Sequence, residues 1–304
     1  MPDNHARVIV NPAAGARTTY RRWPQIQSLL RSGGLNFDFK YTEGTGHATA
    51  LAREAASDGC RFLVAVGGDG TINEVANGVL TAVNSETTTI GIISTGTGND
   101  FVKSVGAPRD YTGACRCIFG GSRRLIDVGL VEYSQNGEMR QRYFVNGAGI
   151  GFDAEVTEAA EKMPKRIGHT MPFVMGLLRT LPKYRNKHVS VSIDGKTEDR
   201  VVLSVIVSNG AYFGGGMKIA PAALTHDRLF DVVTVGDIGK LELLKVFPRV
   251  YSGTHVTHPA VKVDRAETVF IESGDRILLQ ADGELLGHGP VSFHIVPQAL
   301  SLAI

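Results

Sequence analysis

Between Arg61 and Val79 an apolar run breaks off at a cluster of glycines: Arg-Phe-Leu-Val-Ala-Val-Gly-Gly-Asp-Gly-Thr-Ile-Asn-Glu-Val-Ala-Asn-Gly-Val. Phe62 to Val66 has the unbroken apolar character of a strand buried on both faces of a parallel sheet. It stops at Gly67-Gly68-Asp69-Gly70, where neither strand nor helix continues, and a helix opens at Thr71. Glycines there let the main chain approach a polyanion closely, with successive N–H groups and the positive end of the new helix facing it. Asp69 would repel bare phosphate, so its expected part is to organise the loop donors or magnesium. An ordinary Gly-rich strand-to-helix turn uses the same letters, and the loop alone leaves both readings open.

The flanking segments repeat the pattern. Ala6 to Val10 reads as a strand ending in Asn11-Pro12-Ala13-Ala14-Gly15, where proline and glycine break it. Trp23 to Leu30 reads as a helix closed by Gly33-Gly34, and Leu35 to Tyr41 as a strand with Thr42 at its end. Gly46-His47-Ala48 starts a helix reaching Ala56. Beyond the central strand, Ile90 to Ile93 makes another that runs into Ser94-Thr95-Gly96-Thr97-Gly98-Asn99-Asp100. Strand-helix alternation predicts a parallel sheet with helices on both faces, whose strand ends converge at one rim.

The character changes around Ser122 to Asp127. A chain of 304 residues favours two domains, and the boundary is expected here, giving an α/β domain over 1–124 and a mostly antiparallel β-sandwich domain over 125–304. Leu125 to Val131 is a strand carrying Asp127, and Tyr143 to Gly149 is another. Gly149-Ile150-Gly151 lacks the third glycine and the acidic partner of a dinucleotide fingerprint. Glu155 to Tyr184 reads as helical, interrupted at Pro164 and Pro172. Lys162, Lys165, Arg166, Arg179, Lys183 and Arg185 lie along it, either as a solvated basic face or as a face resting on anionic headgroups, with Met171, Phe173, Met175, Leu177 and Leu178 toward acyl chains. Strands are then expected over 189–193, 200–208, 230–235, 268–271, 276–280, 291–296 and 300–304, with Asp194-Gly195 as a hairpin turn. A cleft between the two halves is the expected place for a substrate.

Composition narrows the function. With 32 basic and 30 acidic residues the net charge is +2, which argues against a dedicated nucleic-acid binder. The 3 cysteines, odd in number, and the lack of a leader-like start predict a reducing, cytoplasmic setting. Cys115 and Cys117 have no second pair to form a zinc site. His255 and His258 have metal-like spacing without a third ligand, which favours a structural role. No window approaches the roughly 20 apolar residues of a membrane span, so work on lipid would require transient contact with the membrane from outside.

Six motifs then fall in one order: the Asn-Pro-x-x-Gly loop at Asn11, Gly67 to Glu74, Gly96-Thr97-Gly98-Asn99-Asp100-Phe101, Gly149 to Ala154, Phe213 to Pro221, and Ala281-Asp282-Gly283-Glu284. In this the chain resembles the diacylglycerol kinase catalytic domain family of lipid kinases, which also includes sphingosine and ceramide kinases, and it looks most like the soluble bacterial members. The resemblance implies ATP and magnesium as cofactors and a lipid alcohol at a membrane surface as substrate, with diacylglycerol first among the alcohols; a homodimer stays open. It implies ATP-binding positions at Asn11, Pro12, Ala13, Ala14, Gly15, Thr42, Gly67, Gly68, Asp69, Gly70, Thr71, Asn73, Glu74, Gly96, Thr97 and Asn99. It also implies that Asp69, Asp100 and Asp127 hold magnesium and its waters, and that Asp227 with the carbonyls of Leu224 and Leu229 forms a structural magnesium site.

Phosphoryl transfer to an alcohol needs alignment, charge cancellation and a base for the hydroxyl proton. Asp282 and Glu284 bracket Gly283 after a strand, and if the strand continues they face the same way, which would separate their proton affinities. The resemblance points to Glu284 as acceptor, with Asp282 as the rival. The chain departs from its relatives in Ala14, Ala16 and Arg17, where Ser and Lys are common, and in Arg228, where many carry Gly. An NAD kinase shares the Gly-Gly-Asp-Gly motif, but a Gly-Ser-Thr-Ala segment is missing and the first loop is Asn-Pro rather than Asn-x-Pro. The remaining alternative is a lipid-binding protein without turnover, against which Asp69, Asp282 and Glu284 speak.

Overall fold

A computed structural model describes residues 5–83, 88–162 and 170–304. The chain divides into two compact units, one reaching Asp127 and taking back Pro297–Ile304, the other spanning Val128–Val296. The terminal strand therefore belongs with the first unit, although its sequence follows the β-rich half.

In the first unit β1 (His5–Val10), β2 (Asn36–Tyr41), β3 (Phe62–Gly67) and β4 (Thr89–Ser94) alternate with α1 (Ala14–Ser32), α2 (His47–Ser57) and α3 (Asp69–Leu80); α4 (Asp100–Ser104) and α5 (Tyr111–Gly120) follow. β1 pairs in parallel with β2 and β3, and β3 with β4. The order β2-β1-β3-β4 sends the chain to opposite sides of β1, so its carboxyl edge opens a crevice between β1 and β3. The far edge of β4 is taken in parallel by Ser301–Ala303. α1 buries Thr19, Trp23, Ile26 and Leu30, spaced three or four apart as one helix face requires. Trp23 tilts against Phe39 of β2 at 5.0 Å. Cys115 is a free, buried thiol whose pKa burial pushes up to about 11, so it is an inert packing group.

The second unit is built on antiparallel ladders. It contains β6 (Glu138–Phe144), β7 (Gly147–Gly151), β8 (Lys187–Ile193), β9 (Lys196–Ser208), β10 (Phe230–Gly236), β11 (Val261–Ala266), β12 (Thr268–Glu272) and β13 (Leu278–Ala281). β5 (Arg124–Gln135) enters it from the first unit, and β14 (Glu284–Ala303) leaves it for the first. Asp194 and Gly195, both with positive φ (46° and 81°), turn β8 into β9 as expected. Phe144 stacks on Phe230 and meets Phe293 edge-on, at 5.6 and 6.2 Å, in the centre of this core. The segments read separately as 291–296 and 300–304 are one strand, β14. The helical segment appears as α6 (Phe152–Glu161) and α7 (Thr170–Thr180), and α8 (Lys240–Val246) lies between β10 and β11. Pro164, Lys165 and Arg166 lie outside the described residues, as do the side chains of Met171, Pro172 and Phe173. No helix among the described residues is long and apolar enough to cross a membrane.

One carboxyl is walled inside this unit. Asp153, in the first turn of α6, lies over Gly149, where an added Cβ would come within 2.1 Å of its Oδ2. Gln280 pairs across the ladder with Gly149 and donates Nε2 to Asp153 Oδ2 at 2.9 Å, while Oδ1 is buried without a hydrogen bond. Burial pushes the Asp153 pKa up to about 6, with the Gln280 and Ser204 bonds pulling it back. Below about pH 4 the carboxyl is protonated in folded and unfolded chains alike. Between about pH 4 and 6 only the unfolded chain releases the proton, so stability falls as pH rises through that window and stays lower above it. Asp153→Asn keeps an acceptor for Gln280 and removes the charge. It is expected to flatten this fall and to gain on the order of 2–3 kcal/mol at pH 7 over wild type, read from denaturant midpoints across pH 4–8.

Candidate active site

At the carboxyl edge of the first unit's sheet, four loops are tied to one another by the backbone. The Asn11 N–H donates to the Val66 carbonyl at 2.9 Å, the Thr42 N–H to Val10, and the Thr95 N–H to Gly67 at 2.8 Å. Asn11 Nδ2 then reaches across the β1/β3 crevice to Thr71 Oγ1 at 2.9 Å, while its Oδ1 accepts from the Ala13 N–H. One asparagine thus closes its own loop and fixes the start of α3.

The loops touch main chain to main chain. A Cβ on Gly96 would stand 2.7 Å from Gly68 Cα, and one on Gly15 would stand 2.3 Å from the Thr95 carbonyl oxygen. Side chains at these positions would part the loops. Gly15, Ala16 and Arg17 all take left-handed φ (59°, 52° and 67°), a rare run that reorients the chain at the start of α1. Thr19 and Thr95 share a buried hydroxyl contact that pins the reoriented turn to the fourth loop.

Gly68 precedes α3 in extended conformation, and no side chain caps the helix; Gly70 stands in open space. The leading N–H groups of a helix need acceptors, and together with the helix dipole they favour an anion. Asp69 turns inward: its Oδ1 accepts from the Phe101 N–H at 3.1 Å, joining the second glycine loop to α4. Asp100 Oδ1 meets Lys103 at 3.3 Å, and Lys103 also donates to the Gly98 carbonyl. A Cβ on Gly98 would lie 2.8 Å from Asp69 Oδ2 and 3.9 Å from Asp100 Oδ2, so the two carboxylates flank that glycine. Glu74 caps α2, accepting from the Gly46 and Ala48 N–H groups at 2.9 and 3.0 Å. Asn73 is buried and accepts from Asn77, Asn99 accepts from Ser94, and Thr97 is exposed.

The remaining acids predicted as metal ligands have other neighbours. Asp127 is fully buried, and its Oδ1 accepts from the Gln298 N–H at 2.8 Å, tying the outgoing strand to the returning one. Asp227 Oδ1 accepts from the Leu229 N–H, and Oδ2 is met by the Arg265 guanidinium. Arg265 is also the cross-strand partner of Asp231, whose Oδ2 is buried without a hydrogen bond and whose pKa is raised by burial. A cation at Asp227 would compete with that guanidinium for Oδ2. Among the described residues no three His, Cys, Asp or Glu come together as a metal-holding group. His255 is buried, with Nε2 against the Ile219 carbonyl, and His258 pairs with Glu242.

The late acids belong to the second unit, and the structure changes their geometry. Asp282 and Gly283 have positive φ (47° and 82°) and form the two-residue turn between β13 and β14, so Asp282 and Glu284 do not sit two apart on one continuing strand. The Asp282 carboxylate accepts from the N–H groups of Val145, Asn146 and Gly147 at 2.7, 2.9 and 3.1 Å. These donors are lost to a ladder, which is why the strand expected over 143–149 divides into β6 and β7. Glu284 is half-buried, and its Oε2 accepts from Arg142 at 2.7 Å. Behind the turn, Gln280 Oε1 accepts from the Gly283 N–H, extending the Asp153 contact to the hairpin. Sequence reasoning does not single out Arg142, Gln280 or Asp153 as site residues. Only Asp153 has a motif around it, because Arg142 lies in the unpatterned run Glu-Met-Arg-Gln-Arg.

Known proteins match this architecture along nearly its whole length. The diacylglycerol kinase catalytic domain family matches residues 5–131, and the YegS C-terminal NAD kinase beta sandwich-like domain matches residues 147–304. A diacylglycerol kinase of Bacillus subtilis is 31% identical over 290 residues, covering 95% of this chain and 92% of that protein. One from Staphylococcus carnosus is 30% identical, covering 95% and 91%. A solved diacylglycerol kinase structure from Bacillus anthracis has the same fold, with a TM-score of 0.74 at 21% identity over 100% of this chain and 97% of that one. With a family model over residues 5–131 and relatives of about 30% identity along nearly the whole chain, this chain belongs to the diacylglycerol kinase catalytic domain family.

Proposed function

We propose that the chain is an ATP- and magnesium-dependent kinase that transfers the γ-phosphate to a lipid hydroxyl, with diacylglycerol, giving phosphatidic acid, as the first substrate to test. The observation that carries this is the backbone-to-backbone contact of the Gly68 and Gly96 loops beside the uncapped start of α3, at the crevice spanned by Asn11 and Thr71. Such an edge offers main-chain donors to a polyphosphate, and at Gly15 and Gly96 it leaves no room for side chains. Asp69 and Asp100, flanking Gly98, supply the one or two carboxylates with which a protein holds magnesium against phosphate oxygens. Bound there, magnesium would cancel charge on the transferring phosphoryl group.

Glu284 serves as the base. The substrate hydroxyl gives it a proton, the alcohol oxygen attacks the terminal phosphorus, and the bond from that phosphorus to the bridging oxygen breaks, releasing ADP. Arg142 holds the carboxylate in place through Oε2. Asp282 is suited to a different role. Its two oxygens already accept from three backbone donors, which hold the carboxylate charged, so it shapes the hairpin that carries Glu284.

Labelled γ-phosphate transfer to diacylglycerol, phosphatidylglycerol, a sphingoid base and a polyprenol in mixed micelles, run beside NAD, tests the reading. Faster labelling of NAD than of any lipid would sink it. Glu284→Gln is expected to lower kcat by about 100-fold or more with little change in melting temperature. Asp282→Asn, which tolerates the left-handed turn, should instead lose on the order of 1–3 kcal/mol of stability, because backbone donors lose their acceptor. Equal melting temperatures for the two variants would refute this division of roles. Gly96→Ala, by prising the loops apart, should raise the KM for ATP several-fold while leaving lipid KM unchanged, measured by varying each substrate in turn.

A further inference from the structure

Away from the loops and the acid hairpin, the second unit exposes apolar side chains in a basic setting. One buried cluster takes Leu177 from α7, Leu181 from the turn after it, and Leu243 and Val246 from α8. Lys240, at the start of α8, donates Nζ to the Pro182 carbonyl at 2.6 Å, tying α8 to the turn that follows α7. The outward faces of α7 and α8 are also apolar: Leu178 is 58% exposed on α7, and Leu241 and Leu244 are 78% and 42% exposed on α8, one turn apart. Leu177, expected to face lipid, is buried instead, and Leu178 takes the outward position. A hollow of about 410 Å³ lies among the segment that follows α7, β9 and the start of α8, lined by Leu181, Leu203, Leu243, Arg185, Lys240 and Asp237.

Charge selects what covers this face. From Thr170 to Val189 the sequence has Arg179, Lys183, Arg185 and Lys187 and no Asp or Glu. Arg179, Lys183, Arg185, Lys240 and Lys245 are exposed. Acids lie around this face too: Glu242 faces His258 at 3.2 Å, Asp237 accepts from Asn186 at 2.6 Å, and α6, packed on α7, carries Glu155 and Glu161 beside Glu158, which pairs with Lys162. Exposed leucines ringed by Lys and Arg match the boundary between anionic headgroups and acyl chains. A symmetric dimer through the same patch would set five cations against their own copies, which opposes a second copy of this chain as occupant.

We propose that α7 and α8 form the face by which this protein docks on an anionic lipid bilayer, with Leu241, Leu244 and Leu178 entering the acyl boundary and the surrounding Lys and Arg meeting headgroups. This rests on the lipid-kinase reading for its purpose, though not for its test. Flotation with phosphatidylcholine vesicles, with and without one part in four of phosphatidylglycerol, is run without ATP or diacylglycerol. The wild-type protein should float with the anionic vesicles and be released by high salt. Leu241→Ser with Leu244→Ser, and separately Arg179→Gln with Lys183→Gln, should each weaken flotation by about tenfold while melting temperatures stay put. Turnover of a water-soluble short-chain diacylglycerol should be unchanged in these variants and turnover of vesicle-borne diacylglycerol should fall. Flotation without phosphoryl transfer to any lipid would support the docking face and sink the kinase reading. Variants that float like wild type would overturn the face, as would a wild-type dimer that the Leu241→Ser, Leu244→Ser protein fails to form.

Discussion

The first unit depends on main chain lying against main chain where two glycine loops meet. Gly96 approaches Gly68 so closely that it tolerates no side chain without movement, and Gly15 presses on the Thr95 carbonyl in the same way. Loops this close have few ways to shift independently, because each is also bonded to a strand end of the next. The arrangement is therefore preorganised: on the proposed reading the donors are aimed before a nucleotide arrives, and little ordering cost is left for binding.

The second unit solves a different problem with a carboxylate. A two-residue turn leaves nearby backbone donors at the β6/β7 break without ladder partners, and Asp282 supplies the acceptors from across the sheet. Asp153 and Gln280 brace the same turn from behind at the expense of a buried carboxyl. The hairpin is held from both sides while Glu284, paired with Arg142, keeps partial access to solvent. Rigidity around a half-buried acid is what a proton acceptor for an alcohol requires.

Much of this is legible in local patterns. Apolar runs ending in glycine mark β3 and β4, and the helix face of α1 shows in Trp23, Ile26 and Leu30, because burial and backbone freedom act over a few residues. Asp194-Gly195 marks a hairpin, yet the same dipeptide at 282–283 reads as the continuation of a strand, since the acids on either side invite a catalytic reading first. What stays hidden is non-local. Nothing near Asp153 announces Gln280, nothing near Asp227 announces Arg265, and the pairing of Ser301 with Thr89 joins segments more than two hundred residues apart. Arg228 at positive φ, where glycine would be easier, is visible in sequence only as a departure from relatives.

The return of Pro297–Ile304 to β4 has a bearing on biosynthesis. A ribosome delivers β1 to β4 early, but the strand that covers the open side of β4, and the Gln298 N–H that Asp127 accepts, emerge only after the whole second unit has been made. Through that interval the nascent first unit carries an unpaired, mostly apolar border along β4, a natural landing place for a chaperone and a weak point for self-association. Completion of the earliest-made part thus waits on residues made after the whole second unit.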